Sequence, residues 1–255
     1  MDSSVKNALI LAAGRGKRLM PYTADRPKCL VEVGGKPILY YQLKALEKYG
    51  IVDITIVIGY LEDKIQEYAR AHFPRLSFNF IKNDLYSTTN DIYSFYLAKD
   101  ICGGDFIQVD ADLLFHSGIL NSVLSAPVDV SVTYIRKALC GEEEMKVIMD
   151  KKAFVRKIGK AIQPEYAHGE FMGISLFRDP FSVRLFEVMG EIIQNGGETR
   201  YSGEAMSNVC EEGAPLFAID AAFPVIEIDF PEDLEAARNL VFPLIEESYD
   251  YGKAN

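Results

Sequence analysis

Leu9 to Ala13 is an apolar run that ends on two small residues and meets glycine at once. An apolar run without alternation is the pattern of a strand buried on both faces, as in a parallel sheet covered by helices. Gly14 and Gly16 then flank Arg15, and Lys17 and Arg18 follow. Glycines after a strand permit positive φ and close approach of a ligand to the backbone. Arg15, Lys17, Arg18 and Lys28 place four basic side chains within fourteen positions. Successive backbone N–H groups together with cations suit a polyphosphate, so this stretch reads as a nucleoside triphosphate loop.

Two familiar glycine loops do not fit. A dinucleotide fingerprint needs a third glycine where Leu19 stands. A Walker A loop needs glycine at the position of Leu11 and Ser or Thr at that of Arg18. On residue types alone, an ordinary strand–helix turn with a solvated basic face remains an alternative.

The rest of the composition sharpens this. The 255 residues suit one α/β domain, or one domain with a small insert, and 49% hydrophobic content supplies a full core. A net charge of −10 and a pI of about 4.9 argue against nucleic-acid or anionic-membrane binding. The basic cluster therefore runs against the charge of the whole. Cys29, Cys102, Cys140 and Cys210 are scattered without a CxxC pair, and His72, His116 and His168 are isolated. This usage predicts a reduced, cytoplasmic protein with no zinc site and no disulfide framework. No apolar run nears the roughly 20 residues of a membrane helix. The Ala8–Ala13 stretch is too short for a secretion signal, and its charge follows rather than precedes it.

Along the first half, strand and helix patterns alternate. Pro37 to Tyr49 reads as a helix with proline at its start and Gly50 past its end. Ile54 to Ile58 reads as a buried strand, Leu61 to His72 as a helix, and Leu76 to Ile81 as a strand leading into a loop. Thr88 or Thr89 is the expected cap of a helix reaching about Lys99. Phe106 to Val109 is a strand that ends at Asp110-Ala111-Asp112. This order predicts a mostly parallel sheet with helices on both faces. After about residue 128, VDVSVTYI, MKVIMD, AFVRKIG and EFMGISLF are closely spaced strand patterns, so antiparallel or mixed pairing is expected there. Helices return over Pro180–Gln194 and Tyr201–Glu211, and a last strand, Phe223–Ile228, precedes a helix starting near Pro231. One domain over 1–255 is expected, with residues to about 127 binding nucleotide and the remainder binding an acceptor.

LAAGRGKRLMPYTADRPKCL resembles the signature of the sugar-phosphate-type nucleotidyltransferases, LxxGxGxRLxPxTxxxPKxL. The match rests on Gly14, Gly16, Arg18, Leu19, Pro21, Thr23, Pro27, Lys28 and Leu30, and VEVGGKPIL continues it. The fold implied is the nucleotide-diphospho-sugar transferase fold, a Rossmann-like α/β mixed sheet with helices on both faces. Two further stretches narrow the resemblance. Thr89-Asn90-Asp91-Ile92-Tyr93-Ser94 is similar to the TNNxYS segment of cytidylyltransferases acting on phosphocholine and aminoalkylphosphonates, departing at Asp91 where that pattern has Asn. Residues 142–177 resemble their EEMKV…IGK…GExxGI run.

The resemblance implies roles. Arg18 would stabilise the β,γ-phosphates, and Lys28 would bridge the α-phosphate and the acceptor. Leu11, Ala12, Ala13, Gly14, Gly16 and Lys17 would line the nucleotide, with Asn90 offering donor and acceptor groups to a cytosine edge and Asp110 nearby. Asp112 is the leading ligand for Mg²⁺, Asp110 the second candidate and Asp229 the partner from the acidic strand end EIDFPEDLEAA. Lys146 and Lys160 are candidates for the acceptor phosphate, Glu170 for its head group. Tyr86, Tyr93 and Asp91 are a possible cage for a quaternary ammonium. Each of these has a plain structural alternative: a helix cap, a packed ring or a solvated lysine. The expectation is an Mg²⁺-dependent cytidylyltransferase joining CMP from CTP to a small phosphate or phosphonate and releasing pyrophosphate. A hexose-1-phosphate nucleotidyltransferase and a catalytically silent regulatory relative are the alternatives.

Overall fold

The computed structural model describes residues 5–102 and 104–249. The opening apolar run forms β1 (Asn7–Ala12). Its side chains alternate between two cores. Ala8, Ile10 and Ala12 face one, and Leu9 and Ala13 face the other. A strand with two buried faces must be central, and β1 lies between two parallel neighbours.

A short hairpin, β2 (Glu32–Val33) and β3 (Lys36–Pro37), leads into α1 (Ile38–Lys48). This helix buries Ile38, Leu39, Leu43 and Leu46 at helical spacing and ends before Gly50, whose φ is 73°. Next come β4 (Asp53–Ile58), α2 (Glu62–His72) and β5 (Ser77–Lys82). The helix expected after Thr88 or Thr89 starts later, as α3 (Asp91–Leu97). Asn90 is its cap, its Oδ1 accepting from the Asp91 N–H at 2.9 Å. Thr89 instead donates to the Leu85 carbonyl within the preceding turn.

The chain then returns to the other side of β1 as β6 (Phe106–Asp110). Two elements not legible in the sequence follow, β7 (Leu113–Phe115) and α4 (Gly118–Ser125). The remaining strands are β8 (Ser131–Arg136), β9 (Lys146–Met149), β10 (Val155–Gly159) and β11 (Gly169–Phe177). They are followed by α5 (Phe181–Gln194), α6 (Ser202–Glu211), β12 (Phe217–Asp220), β13 (Val225–Glu227) and α7 (Pro231–Ala236). A π-turn over Ala237–Val241 and α8 (Phe242–Ile245) lead to the last described residues.

The main sheet runs β10-β9-β11-β6-β1-β4-β5, with β8 joined to β11 and β12 joined to β8. Strands β5, β4, β1 and β6 are parallel, whereas β11 runs antiparallel to β6, β8 and β9. The sheet is therefore mixed, with α1, α2 and α4 contributing to one core and α3, α5 and α6 to the other. The chain order reverses at β1, and ligands of open α/β sheets bind beyond the carboxyl ends of strands at such a point.

Strand β13 lies within the stretch expected for the last strand. It leaves the main sheet and pairs with β7, setting Glu227 opposite Leu113. No described helix is long and apolar enough to cross a membrane.

Candidate active site

A cleft of about 970 Å³ opens beyond the carboxyl ends of β1 and β6. That volume suits a nucleotide with a small second substrate. Leu11, Ala12, Ala13, Gly14, Gly16, Lys17, Arg18 and Lys28 line it on one side, and Asp110 and Asp112 at its base. Gly16 has φ 64°, and a Cβ there would lie 3.1 Å from the Lys28 Cβ. The glycine thus lets the Lys28 stem cross the loop. Thr23 closes the same turn by donating its hydroxyl to the Gly16 carbonyl at 2.8 Å.

Lys28 starts a single 3-10 turn after Pro27. Its ammonium lies 2.6 Å from Asp112 Oδ2 and 2.5 Å from Asp229 Oδ1. Arg18 pairs with the other Asp229 oxygen and lies over the Phe230 ring. Burial by itself would lower the Lys28 pKa, but the charges of Asp112 and Asp229 outweigh it and raise that pKa. Burial likewise opposes ionisation of Asp229, and Lys28 overcomes it, leaving that carboxyl below its usual range.

The aspartates meet because β7 and β13 are paired. The Ile228 N–H donates to the Asp112 carbonyl at 3.1 Å, so the residues on either side of Ile228 flank Asp112. Glu227 and Asp229, two apart, share a face. Asp112, Glu227 and Asp229 each present a carboxylate oxygen within 4.8 Å of the others. Three hard oxygen donors at this separation fit a divalent cation such as Mg²⁺. Glu227 is exposed to the open cleft yet enclosed by its walls. That enclosure, followed by the Asp112 and Asp229 charges, pushes its pKa up to about 8. A second cation would relieve this excess of negative charge.

Glu227 escaped the sequence reading. The signal available was the spacing of Glu227-Ile-Asp229 on a strand, which sets both on one face. Gln42 was missed as well. From α1 it is fully buried and donates from Nε2 to the Asp110 and Leu113 carbonyls, both at 2.9 Å. It clamps the turn that carries Asp112.

Asp110 takes a different place from the one expected for a metal ligand. Its Oδ1 accepts from Gln108 Nε2 at 2.7 Å. Gly173, at φ 58° in a bulge of β11, lies so close that a Cβ there would be 2.2 Å from Asp110 Oδ2. Burial, then the charges of Asp112, Asp91 and Glu227, hold this carboxyl well above the ordinary range. The converging carboxylates are Asp112, Glu227 and Asp229, and Asp110 stands behind them.

The opposite wall carries the acceptor candidates. Glu170 and Lys160 line the cleft, with Lys160 3.6 Å from Glu143 and over the Tyr201 ring at 5.1 Å. Lys137, missed in the sequence, lies 2.5 Å from Glu170 and 2.7 Å from Glu144. Burial raises the Glu170 pKa despite that partner.

Lys146 corrects the expectation of an acceptor-phosphate lysine. It is fully buried, and its ammonium donates to the Gly141, Glu142 and Glu144 carbonyls at 2.9, 2.7 and 3.0 Å. It shapes the loop that presents Glu144 and does not line the cleft.

The cage of Tyr86, Tyr93 and Asp91 is not assembled. Tyr86 lines the cleft, but Tyr93 on α3 does not. Asp91 Oδ2 accepts from the Ser202 N–H at 3.1 Å and from the Ser202 hydroxyl, fastening α3 to the start of α6. Asn90 lines the cleft, but both ends of its amide have protein partners, the Asp91 N–H and the Thr199 carbonyl.

Comparison with known proteins bears on the same residues. The Nucleotidyl transferase family model matches residues 7–105, which include the basic loop and Lys28. The chain is 33% identical over 189 residues to the choline-phosphate cytidylyltransferase of Streptococcus pneumoniae, covering 66% of this chain and 80% of that one. It is 27% identical over 251 residues to the CTP:phosphoglutamine cytidylyltransferase of Campylobacter jejuni, covering 90% and 98%. Among solved structures, the inositol-1-phosphate CTP transferase from T. maritima superposes with a TM-score of 0.82 at 21% identity, covering 98% of each chain. That likeness confirms the expected nucleotide-diphospho-sugar transferase fold. With the glycine-rich basic loop, the lysine and the carboxylates in one cleft, the chain belongs to the nucleotidyl transferase family and is a nucleotidyltransferase.

Proposed function

We propose that the chain transfers CMP from CTP to a small phosphate or phosphonate, releasing pyrophosphate. One observation carries this reading. Lys28, from the phosphate loop, reaches the carboxylates of Asp112 and Asp229 at 2.6 and 2.5 Å, so phosphate-binding and cation-binding groups converge on one point. The choice of CTP is supported by the names of the relatives matched over most of their length, which act on choline phosphate and phosphoglutamine.

The chemistry requires positioning more than proton transfer. A phosphate or phosphonate acceptor is largely ionised at neutral pH. Its oxygen attacks the α-phosphorus in line, a P–O bond forms, and the bond to the β-phosphate oxygen breaks as pyrophosphate leaves with the electron pair. No general base is needed. Backbone groups of Gly14 to Lys17 hold the polyphosphate, Arg18 neutralises its β,γ-oxygens, and Lys28 lies between the α-phosphate and the acceptor. Asp112, Glu227 and Asp229 would hold Mg²⁺, which supplies charge neutralisation on the phosphates when bound. Lys160, Lys137 and Glu170 face the acceptor and discriminate its head group.

The test is pyrophosphate release with Mg²⁺, each of the four nucleoside triphosphates, and a panel of acceptors. The panel holds phosphocholine, phosphoethanolamine, phosphoglutamine, 2-aminoethylphosphonate, inositol phosphate and hexose 1-phosphates. Turnover with CTP and one small phosphate or phosphonate is expected. Turnover confined to UTP, dTTP or GTP with a hexose 1-phosphate would move the chain to the sugar branch. Nucleotide binding without turnover would favour a regulatory relative.

A further inference from the structure

We infer that the Lys28 ammonium and a divalent cation compete for the same carboxylates, so that Lys28 is an internal counter-ion which must leave before the metal enters. This rests on reading the cleft as a nucleotidyl-transfer site. A metal held by Asp112, Glu227 and Asp229 needs an oxygen of each to converge on one point. The Lys28 nitrogen already sits on two of the three, 2.6 Å from Asp112 Oδ2 and 2.5 Å from Asp229 Oδ1. An ammonium and a divalent ion bound to the same oxygens repel at short range inside a partly enclosed cleft.

Lys28 also has an alternative set of partners within the cleft. Its stem passes against Gly16, so the lysine stands between the carboxylates and the Gly14–Arg18 loop. Phosphate oxygens arriving there offer Lys28 new partners and strip the triad of its counter-ion. Binding of the phosphates and of the metal is thereby coupled, and the coupling is reciprocal. In the nucleotide-free protein Lys28 occupies oxygens of two of the three carboxylates and the triad binds metal weakly.

The experiment is a titration of the nucleotide-free protein with Mn²⁺ alone, following free Mn²⁺ by its electron paramagnetic resonance signal. Lys28→Met is expected to lower the Mn²⁺ Kd by about tenfold or more. Lys17→Met removes the same charge from the same cleft without an ion pair to the triad. It is expected to lower the Kd by no more than about threefold, the effect of a more distant charge. Asp112→Ala added to Lys28→Met should abolish the gain, which places the ion at the triad. Lys28→Gln, with a polar end of similar length, repeats the test if the methionine variant does not fold.

The inference is overturned if neither Lys28 variant binds Mn²⁺ more tightly than the wild type. It is equally overturned if Lys17→Met gains as much, or if the gain survives loss of Asp112. These outcomes are separable from the proposed function. Wild-type turnover of CTP with unchanged Mn²⁺ affinity in the Lys28 variants sinks the competition alone. Tighter Mn²⁺ binding with no turnover on any substrate sinks the proposed activity alone.

Discussion

The cleft contains two lysines, each held between two carboxylates, and they differ in what surrounds them. Lys28 lies between Asp112 and Asp229 with its side chain 13% exposed. Lys137 lies between Glu144 and Glu170 with its side chain 31% exposed. Lys28 sits on a one-turn helix fixed by Pro27 and Gly16, whereas Lys137 follows the end of β8. Beside Lys28 a third carboxylate, Glu227, brings three carboxylate oxygens within 4.8 Å of one another. Beside Lys137 the neighbouring cation is Lys146, which is bound to backbone carbonyls and completes a loop. Lysines and carboxylates therefore build a cluster of three converging carboxylates at one wall and a two-carboxylate clasp at the other. Enclosure and the number of converging oxygens make the difference, since an exposed ion pair contributes little by itself.

Substitutions on both walls break or sharpen that contrast. Asp112→Ala and Asp229→Ala are expected to cut kcat by roughly 10³-fold with the fold intact, because each removes a group that acts on developing charge. Steady-state pyrophosphate release checks this. A comparable loss from Glu144→Ala would erase the distinction between the two walls.

Lys146→Met should act on stability and leave chemistry to the other lysines. Removing its ammonium strands three carbonyls, a loss of about 1–3 kcal/mol, read as a lower urea midpoint. A large rise in acceptor KM with unchanged stability would return Lys146 to the acceptor site.

Lys137→Met and Glu170→Gln are expected to raise the acceptor KM by roughly tenfold, equivalent to about 1.4 kcal/mol, with the CTP KM unchanged. A matching rise in the CTP KM would put Lys137 on the nucleotide side.

The smallest effect concerns Asp110. Its folded pKa is raised by burial and by neighbouring carboxylates. The folded state thus holds this proton more tightly than the unfolded chain. The resulting stability is fully present below the ordinary Asp value and is lost as pH rises through the folded value. Asp110→Asn should therefore raise Tm by a few degrees at neutral pH, with the gain shrinking toward pH 4. A Tm unchanged at neutral pH, with turnover abolished, would assign Asp110 to the metal after all.

Legibility in the sequence followed the distance between partners. The strand Leu9–Ala13, the glycines and the cations at Arg18 and Lys28 form one contiguous segment, and the structure lines the cleft with it. Helices α1, α5 and α6 lay within a residue or so of their expected bounds because apolar periodicity and flanking proline or glycine are local signals. The α3 cap shifted from Thr88 or Thr89 to Asn90, since both threonines lie in the preceding turn, donating to the Leu85 carbonyl, and the helix begins only at Asp91. The last strand was legible as a strand, but its partner was not, because pairing with β7 is a contact across more than a hundred residues.

What contiguous residues dictate here is backbone: a strand buried on both faces, a glycine-rich turn at its end, and cations in reach of that turn. Those follow from steric freedom and from side-chain hydrophobicity within a few positions. Which carboxylates meet was settled only when β13 paired with β7 and carried Glu227 and Asp229 to Asp112. The same holds for Gln42, which reaches from α1 to the Asp110 and Leu113 carbonyls, and for Lys146, which turned inward to a loop. A charged side chain's role depends on the partners that remove it from water, and distant segments supply those partners.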